Sequence, residues 1–203
     1  RGLGDVYKRQ DDYVKNGSYQ KNDVFTWFGE PFTELAGKTW GIIGLGAIGR
    51  KVADIAKAFG AHVIYYSASG RPVQEGYEQV DLNTLLRTSD VISVHAPLNE
   101  YTENLMDKAA FAKMKRSAIF LNLGRGPIVV EEDLAEALKQ GTIAAAGVDV
   151  LRTEPIQPDN PLLAIKDSHK LLITPHIAWA STEARTRLMQ IVFDHVKGFA
   201  EKR

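Results

Sequence analysis

The glycine pattern in "GIIGLGAIGR", residues 41 to 50, limits what this chain can fold into more than any other stretch. Gly44, Gly46 and Gly49 stand in a G-x-G-x-x-G spacing. The spacing is weak by itself, since glycine is common wherever a strand turns into a helix, so its setting decides. Ahead of it Thr39–Ile43 reads as a buried strand, Ala47–Phe59 follows with helical period, and His62–Tyr66 reads as a second strand. Strand, glycine turn, helix and strand make the unit that a dinucleotide fingerprint requires. In that unit Gly44 permits the tight turn, Gly46 lets backbone N–H groups approach a pyrophosphate, and Gly49 lets the helix pack close on the strand. The helix N-terminus then turns free N–H groups and a partial positive charge toward phosphates. The plainer alternative is a glycine turn that holds no ligand.

Apolar runs bounded by turn residues keep alternating with helical periods down the chain. Leu82–Arg87 reads as a short helix, Val91–His95 and Ala118–Asn122 as strands, and Glu131–Lys139 as a helix. Ala144–Val150 and Leu171–Thr174 read as further strands, and Ser181 to about Ala200 as a long closing helix. The connection Arg152–Lys166 carries Pro155, Pro158 and Pro161 and reads as an irregular surface loop. Such alternation predicts an α/β fold, a Rossmann-type doubly wound parallel sheet. At 203 residues the chain has room for one such domain with appendages.

Composition narrows the function classes. The 25 basic and 25 acidic residues cancel, which leaves no global field to draw in nucleic acid or an anionic membrane, so a small-molecule partner is expected. Cysteine is absent, which removes disulfides, thiolate metal sites and a cysteine nucleophile; no metal site is expected. No apolar run of about 18 residues is present, and a cytoplasmic protein is the expectation. The first ten residues, RGLGDVYKRQ, look foreign to the rest of the chain, and DVYKRQ resembles the in-frame translation of a transposon-end adaptor. Residues 1–10 then read as an artefact of a truncated reading frame, with an ordinary polar amino terminus as the alternative.

The second half of the fingerprint departs from the common pattern. An acidic residue about 20 positions on usually holds the ribose 2′-hydroxyl. Here the segment after the second strand runs Tyr66-Ser67-Ala68-Ser69-Gly70-Arg71, with no carboxylate before Glu75. Hydroxyls of Ser67 and Ser69 with the Arg71 guanidinium suit a 2′-phosphate and favour NADPH over NADH; a solvated loop that tolerates either is the alternative. Three further residues come after predicted strands: Arg125 in "NLGRGPIV", Glu154 in "DVLRTEP" and His176 in "TPHIAWAS". An arginine at that edge could clamp a carboxylate with two parallel hydrogen bonds, though a lone arginine is more often a surface residue. A His and a Glu in reach make an acid–base dyad, the carboxylate orienting the ring. Taken singly they read as a helix-capping His and a loop Glu.

Together these segments resemble the nucleotide-binding domain of the D-isomer-specific 2-hydroxyacid dehydrogenases. The matching stretches are "ELAGKTWGIIGLGAIGRKVADIAKAFG", "SDVISVHAPLNEYTENLM", "FLNLGRGPIVVEEDLAEAL", "AAAGVDVLRTEP" and "ITPHIAWAS", in the family's order from about Asp11 to the end. "PHIAWAS", with Trp179 where many members have a smaller residue, is similar to the glycerate dehydrogenase and hydroxypyruvate reductase branch. The resemblance implies a hydride transfer between NAD(P)H and a small 2-oxo or D-2-hydroxy acid. Arg125 would bind the substrate carboxylate, His176 would give and take the proton, and Glu154 would support it. Asp149 would hold the nicotinamide carboxamide. Other cofactor contacts would come from Ala47, Ile48, His95, Ala96, Pro97, Thr102, Leu123 and Gly124. For Pro97 and Leu98 the alternative is that they only shape their loop.

The resemblance also divides the chain: 11–36 as a hinge-side helix and loop, 37–180 as the nucleotide-binding domain, and 181–203 as a helix returning toward a substrate domain. Members carry that domain mostly ahead of the nucleotide domain, yet only Asp11–Pro31 precedes it here, so the chain reads as a fragment that turns over poorly. Family dimers pair through the nucleotide domain, which makes a homodimer the expected assembly. Two other readings share this scaffold. One is an NAD(P)-sensing dimerisation module like the related corepressors; the other is a formate dehydrogenase, against which Glu154 speaks because an amide is expected there.

Overall fold

The computed structural model describes residues 10–29, 33–70 and 76–201. Among them seven strands, β1 (Thr39–Ile43), β2 (His62–Tyr66), β3 (Glu78–Gln79), β4 (Val91–Val94), β5 (Ile119–Asn122), β6 (Ala145–Val148) and β7 (Leu171–Ile173), form one sheet. Every pair is parallel and the order is β3-β2-β1-β4-β5-β6-β7. Parallel neighbours need long return connections. These are supplied by helices α1 (Ala47–Ala58), α2 (Leu82–Thr88), α3 (Lys108–Lys113) and α4 (Glu131–Gln140), and α5 (Thr182–Ala200) closes the described chain. The result is a Rossmann-type doubly wound sheet.

Strand pleating explains the two layers of core. Ile42 and Ile43 are neighbours in β1 and must point to opposite faces. Ile42 joins Ala53 and Ala56 of α1 with Val63 and Tyr65 of β2. Ile43 joins Leu85, Leu86, Ile92, Val94, Phe111, Phe120, Leu134 and Leu138 on the other face. All four residues of β4 are buried, as expected for a central parallel strand covered on both sides. The order reverses between β1 and β4, so a crevice opens at the carboxyl ends of those strands, where open α/β sheets collect ligands.

Local chemistry sets the helix limits. Asp81 caps α2 by accepting the Thr84 N–H at 3.0 Å, Asp107 caps α3 through the Ala110 N–H at 2.8 Å, and Ser181 caps α5 through the Ala184 N–H at 3.2 Å. Gly141 ends α4 in the left-handed region at φ 67°.

The sequence expectations for the elements match to within a residue or two at their ends. Strand ends are shorter than expected: Val91–Val94 rather than Val91–His95, and Ala145–Val148 rather than Ala144–Val150. There the apolar run outlasts the parallel ladder and becomes the loops that build the site. Three kinds of feature lie outside the sequence reading: two-residue β3, six-residue α3, and 3-10 turns at Tyr19–Lys21, Gly126–Ile128 and Pro161–Ala164. All are too short for periodicity to show. The Arg152–Lys166 connection is also less of a surface loop than its prolines suggest, because Leu162 is buried and Asn160 is tied inward by hydrogen bonds. Residues 10–15 are helical within the expected hinge-side segment. The expectation for residues 1–10 falls almost wholly outside the described residues.

Candidate active site

The glycine turn between β1 and α1 is built for close approach. Gly44 sits at φ +92°, where a side chain would be strained and a Cβ would lie 2.7 Å from Ala96 N. A Cβ on Gly49 would meet Gly44 O at 2.3 Å, so the helix can rest on the strand only without one. Around Gly46 a Cβ would meet nothing within 4 Å; the position faces open space. Gly46 is also the cap residue of α1, which has neither a side-chain cap nor an acidic residue in its first turn. The first N–H groups of α1 are thus left for an anion. Beside them in the first turn of α1, Ile48 is 68% exposed. This cradle fits a dinucleotide.

The neighbouring strand ends complete the rim. After β2, Ser67 and Ser69 bring their hydroxyls within 3.4 Å of each other, while Arg71 lies outside the described residues. After β4, Pro97 and Leu98 are exposed and Ala96 is buried. His95 and Thr102 turn inward. Thr102 is buried and its hydroxyl donates to Pro97 O at 2.7 Å and accepts the Asn99 N–H at 2.9 Å, closing its own loop. His95 Nε2 shares a hydrogen bond of 3.0 Å with Ser93 Oγ, which also accepts from Trp40 Nε1 at 2.9 Å. Its Nδ1 is buried, and burial pushes the imidazole down to about 4, so the ring is neutral at physiological pH. Of the two ring nitrogens, Nε2 is thus held by Ser93 and Nδ1 is shielded from solvent.

Beyond β5, Asn122 shapes the next loop: its Oδ1 accepts the Gly124 N–H at 3.1 Å and its Nδ2 donates to Arg125 O at 3.0 Å. Sequence reasoning missed Asn122; its place at a strand end next to a glycine was the available signal. Leu123 is exposed and Gly124 buried. The exposed Arg125 side chain donates to Gly124 O at 2.8 Å and has no carboxylate partner among the described residues, so most of its donors point outward.

His176 and Glu154, 22 residues apart, meet with Nδ1 to Oε2 at 2.6 Å. The second Glu154 oxygen accepts the Leu151 N–H at 2.8 Å. Burial works against the Glu154 charge, but the bonds from His176 and Leu151 and the neighbouring imidazole outweigh it and hold the carboxyl below the usual carboxylate range. A carboxylate on Nδ1 fixes the ring and leaves Nε2 as the nitrogen for exchange with a ligand.

The His176 backbone sits at φ 52°, a left-handed conformation that costs a side-chain-bearing residue roughly 1–3 kcal/mol and persists only where its surroundings enforce it. Asp149, buried at the end of β6, is what enforces it. The Asp149 carbonyl accepts the His176 N–H at 2.8 Å, and its carboxylate accepts the N–H groups of Ile177 and Ala178 and the Thr174 hydroxyl at 2.9, 2.9 and 2.6 Å. Burial raises the Asp149 pKa, yet these donors and the nearby imidazole hold it below the ordinary range. Sequence reasoning placed Asp149 at the cofactor and did not foresee this grip on the turn that carries His176.

Comparison with known proteins agrees with this geometry. The model of the D-isomer specific 2-hydroxyacid dehydrogenase NAD binding domain matches residues 6–178. A hydroxypyruvate reductase from Blautia hydrogenotrophica is 45% identical over 188 residues, covering 92% of this chain and 58% of the relative. A glycerate dehydrogenase from Methylorubrum extorquens is 42% identical over 186 residues, covering 92% of this chain and 57% of the relative. Among solved structures, D-lactate dehydrogenase from Aquifex aeolicus, complexed with NAD and lactic acid, superposes with a TM-score of 0.82 at 29% identity. That alignment covers 97% of this chain and 62% of the other. The chain thus spans somewhat over half the length of the curated relatives it matches. With its glycine cradle, parallel sheet and matched sequence, the chain belongs to the D-isomer-specific 2-hydroxyacid dehydrogenase family and comprises that family's NAD-binding domain.

Proposed function

We propose that the protein carrying this domain reduces a small 2-oxo acid to the D-2-hydroxy acid with NAD(P)H, with hydroxypyruvate and glyoxylate as its substrate class. The observation that carries the reading is the 2.6 Å His176–Glu154 pair on the sheet edge that also holds the glycine cradle and Arg125. The bound nicotinamide supplies the hydride. Arg125 grips the substrate carboxylate with parallel N–H bonds and draws electron density from the 2-oxo group. His176, its Nδ1–H held by Glu154, delivers the proton from Nε2 to the 2-oxo oxygen, and in oxidation takes it back. Asp149 uses three of about four acceptor positions within the fold, so one remains for an amide donor of the nicotinamide.

Ser67, Ser69 and Arg71, with no carboxylate among them, support NADPH over NADH. The protein acts as a homodimer paired through this domain. The reading as an NAD(P)-sensing dimerisation module has less support, because the relatives named above are called reductase and dehydrogenase. Steady-state oxidation of NADPH and NADH by the complete protein, with hydroxypyruvate, glyoxylate and pyruvate, tests the proposal. Turnover that prefers NADPH and hydroxypyruvate is expected; tight cofactor binding without turnover on any 2-oxo acid would favour the sensing module.

A further inference from the structure

Glu131 opens α4 and is only 7% exposed, yet its partners among the described residues are neutral. Oε1 accepts the Arg152 N–H at 2.7 Å and Oε2 the Asn160 side-chain amide at 2.8 Å. A buried carboxylate without a cation is costly unless donors satisfy it, and the α4 N-terminus, which has no side-chain cap, adds its partial positive charge. Both donors belong to the one loop that carries Glu154.

Arg152 extends this contact into a closed circuit. Its guanidinium donates to Asn104 Oδ1, and the Asn104 N–H donates to Pro127 O at 2.9 Å. Pro127 lies two residues past Arg125 and four before Glu131, so the circuit returns to its origin. Between them Gly126 packs backbone against backbone: a Cβ there would fall 1.9 Å from the Leu151 carbonyl carbon and oxygen. Three loops, bearing Asn104, Arg125 and Glu154, are thereby locked together from behind.

We infer that Glu131, acting through Arg152, is a positioning residue for the Glu154–His176 pair. It touches neither member. It fixes the backbone two residues before Glu154, from which one carboxylate oxygen is spent on the Leu151 N–H and the other reaches His176. Hydrogen bonds weaken steeply with misalignment, so a loop released at Arg152 loosens the 2.6 Å bond. The inference deepens the reading of His176 and Glu154 as the acid–base pair and rests on it.

The test reads the pair directly, by NMR of the nitrogen-15-labelled 203-residue chain. In the unchanged chain the His176 Nδ1 proton, held at 2.6 Å by Glu154, is expected to give a downfield signal. Glu131→Gln keeps the volume but opposes the Asn160 amide with a second donor; Glu131→Ala removes both acceptors; Asn160→Ala strips one bond and leaves Glu131 in place. The Nδ1 proton is expected to move upfield and to exchange about tenfold faster in both Glu131 variants, the loss of roughly one hydrogen bond. Asn160→Ala should shift it in the same direction by less. NADH affinity should stay within about twofold, since none of these residues faces the glycine cradle. An unchanged Nδ1 signal in any Glu131 variant whose sheet amides remain native would overturn the inference. Should both Glu131 variants unfold, an unchanged signal in Asn160→Ala would do so. Failure of the complete, unchanged protein to turn over any 2-oxo acid would sink the catalytic reading instead, and the Nδ1 signal would still decide the clamp.

Discussion

Gly46 and Gly49, three positions apart, answer different physical demands, and two alanine substitutions separate them. A methyl on Gly49 has Gly44 O at 2.3 Å and Ile42 at 3.3 Å, so Gly49→Ala must push α1 off β1 at a cost of about 1–3 kcal/mol. Gly46 has open space and φ −80°, so Gly46→Ala should fold normally and lose cofactor affinity, because the methyl stands where a pyrophosphate approaches. Thermal denaturation and NADH titration of both variants check this; the reverse pattern would contradict the fingerprint. His95 makes a pH prediction. Its folded pKa, about 4, lies below the unfolded 6.5, so below pH 6.5 the unfolded chain binds a proton that the folded chain refuses. This contribution is intact above pH 6.5 and declines on acidification toward pH 4, by up to about 1.4 kcal/mol per pH unit. Urea unfolding at pH 7.5 and pH 5 should show a smaller acid loss in His95→Asn than in the unchanged chain. In the complete protein His176→Gln should lower turnover by about 10²–10⁴-fold with cofactor affinity nearly unchanged; lost cofactor binding would sink its assignment. His95 shows what residue types alone leave open, the direction of a side chain. It shares the pleat parity of Ser93, which turns its ring inward, and parity is settled only once the strand's register is known.

Among the elements, the longer ones were legible because their signals are local. A continuous apolar run bounded by turns marks a parallel strand buried on both faces, and α1 and α4 carry a helical apolar stripe. The six-residue α3 has too few turns for a stripe, and its start depends on Asp107, whose carboxylate accepts the Ala110 N–H at 2.8 Å. Asp107→Ala should cost about 1 kcal/mol in urea unfolding, the usual value of a lost cap. α5 was legible as a helix and yet packs differently from the rest. None of its residues is buried, and Leu188, Met189, Ile191, Phe193 and Phe199 are exposed. Helices are normally held by burial of an apolar face, so this one adds little to the sheet's stability. Truncation after Ala180 should leave the melting temperature within a few degrees, a shift that corresponds to under about 1 kcal/mol. A large drop would show that α5 supports the sheet.

The whole molecule sets the limits on activity. The chain covers 58% and 57% of the two curated relatives, so the proposed activity is that of a longer protein. The cradle, Arg125 and the His176–Glu154 pair all lie on one sheet edge, so the 203-residue chain should bind NADH or NADPH alone. On the proposed function, the parts of the relatives that this chain does not match help hold the substrate and exclude water, so reduction of hydroxypyruvate by the 203-residue chain should be at least about a hundredfold slower than by the full-length reductase relative. Equal rates, measured by cofactor absorbance, would refute that role for the unmatched parts. By itself the sequence determined the alternation of strands and helices and the glycine cradle, because periodicity and turn chemistry act over a few residues, while the family resemblance singled out Arg125, Glu154 and His176 as candidates. Only the tertiary structure decided that Asp149 grips the turn of His176, that His95 faces inward, and that Glu131 holds the loop of Glu154. The first and last of these join groups 21 to 29 residues apart, and such groups meet only because the sheet order sets the ends of β5, β6 and β7 side by side, where buried backbone N–H groups must find acceptors.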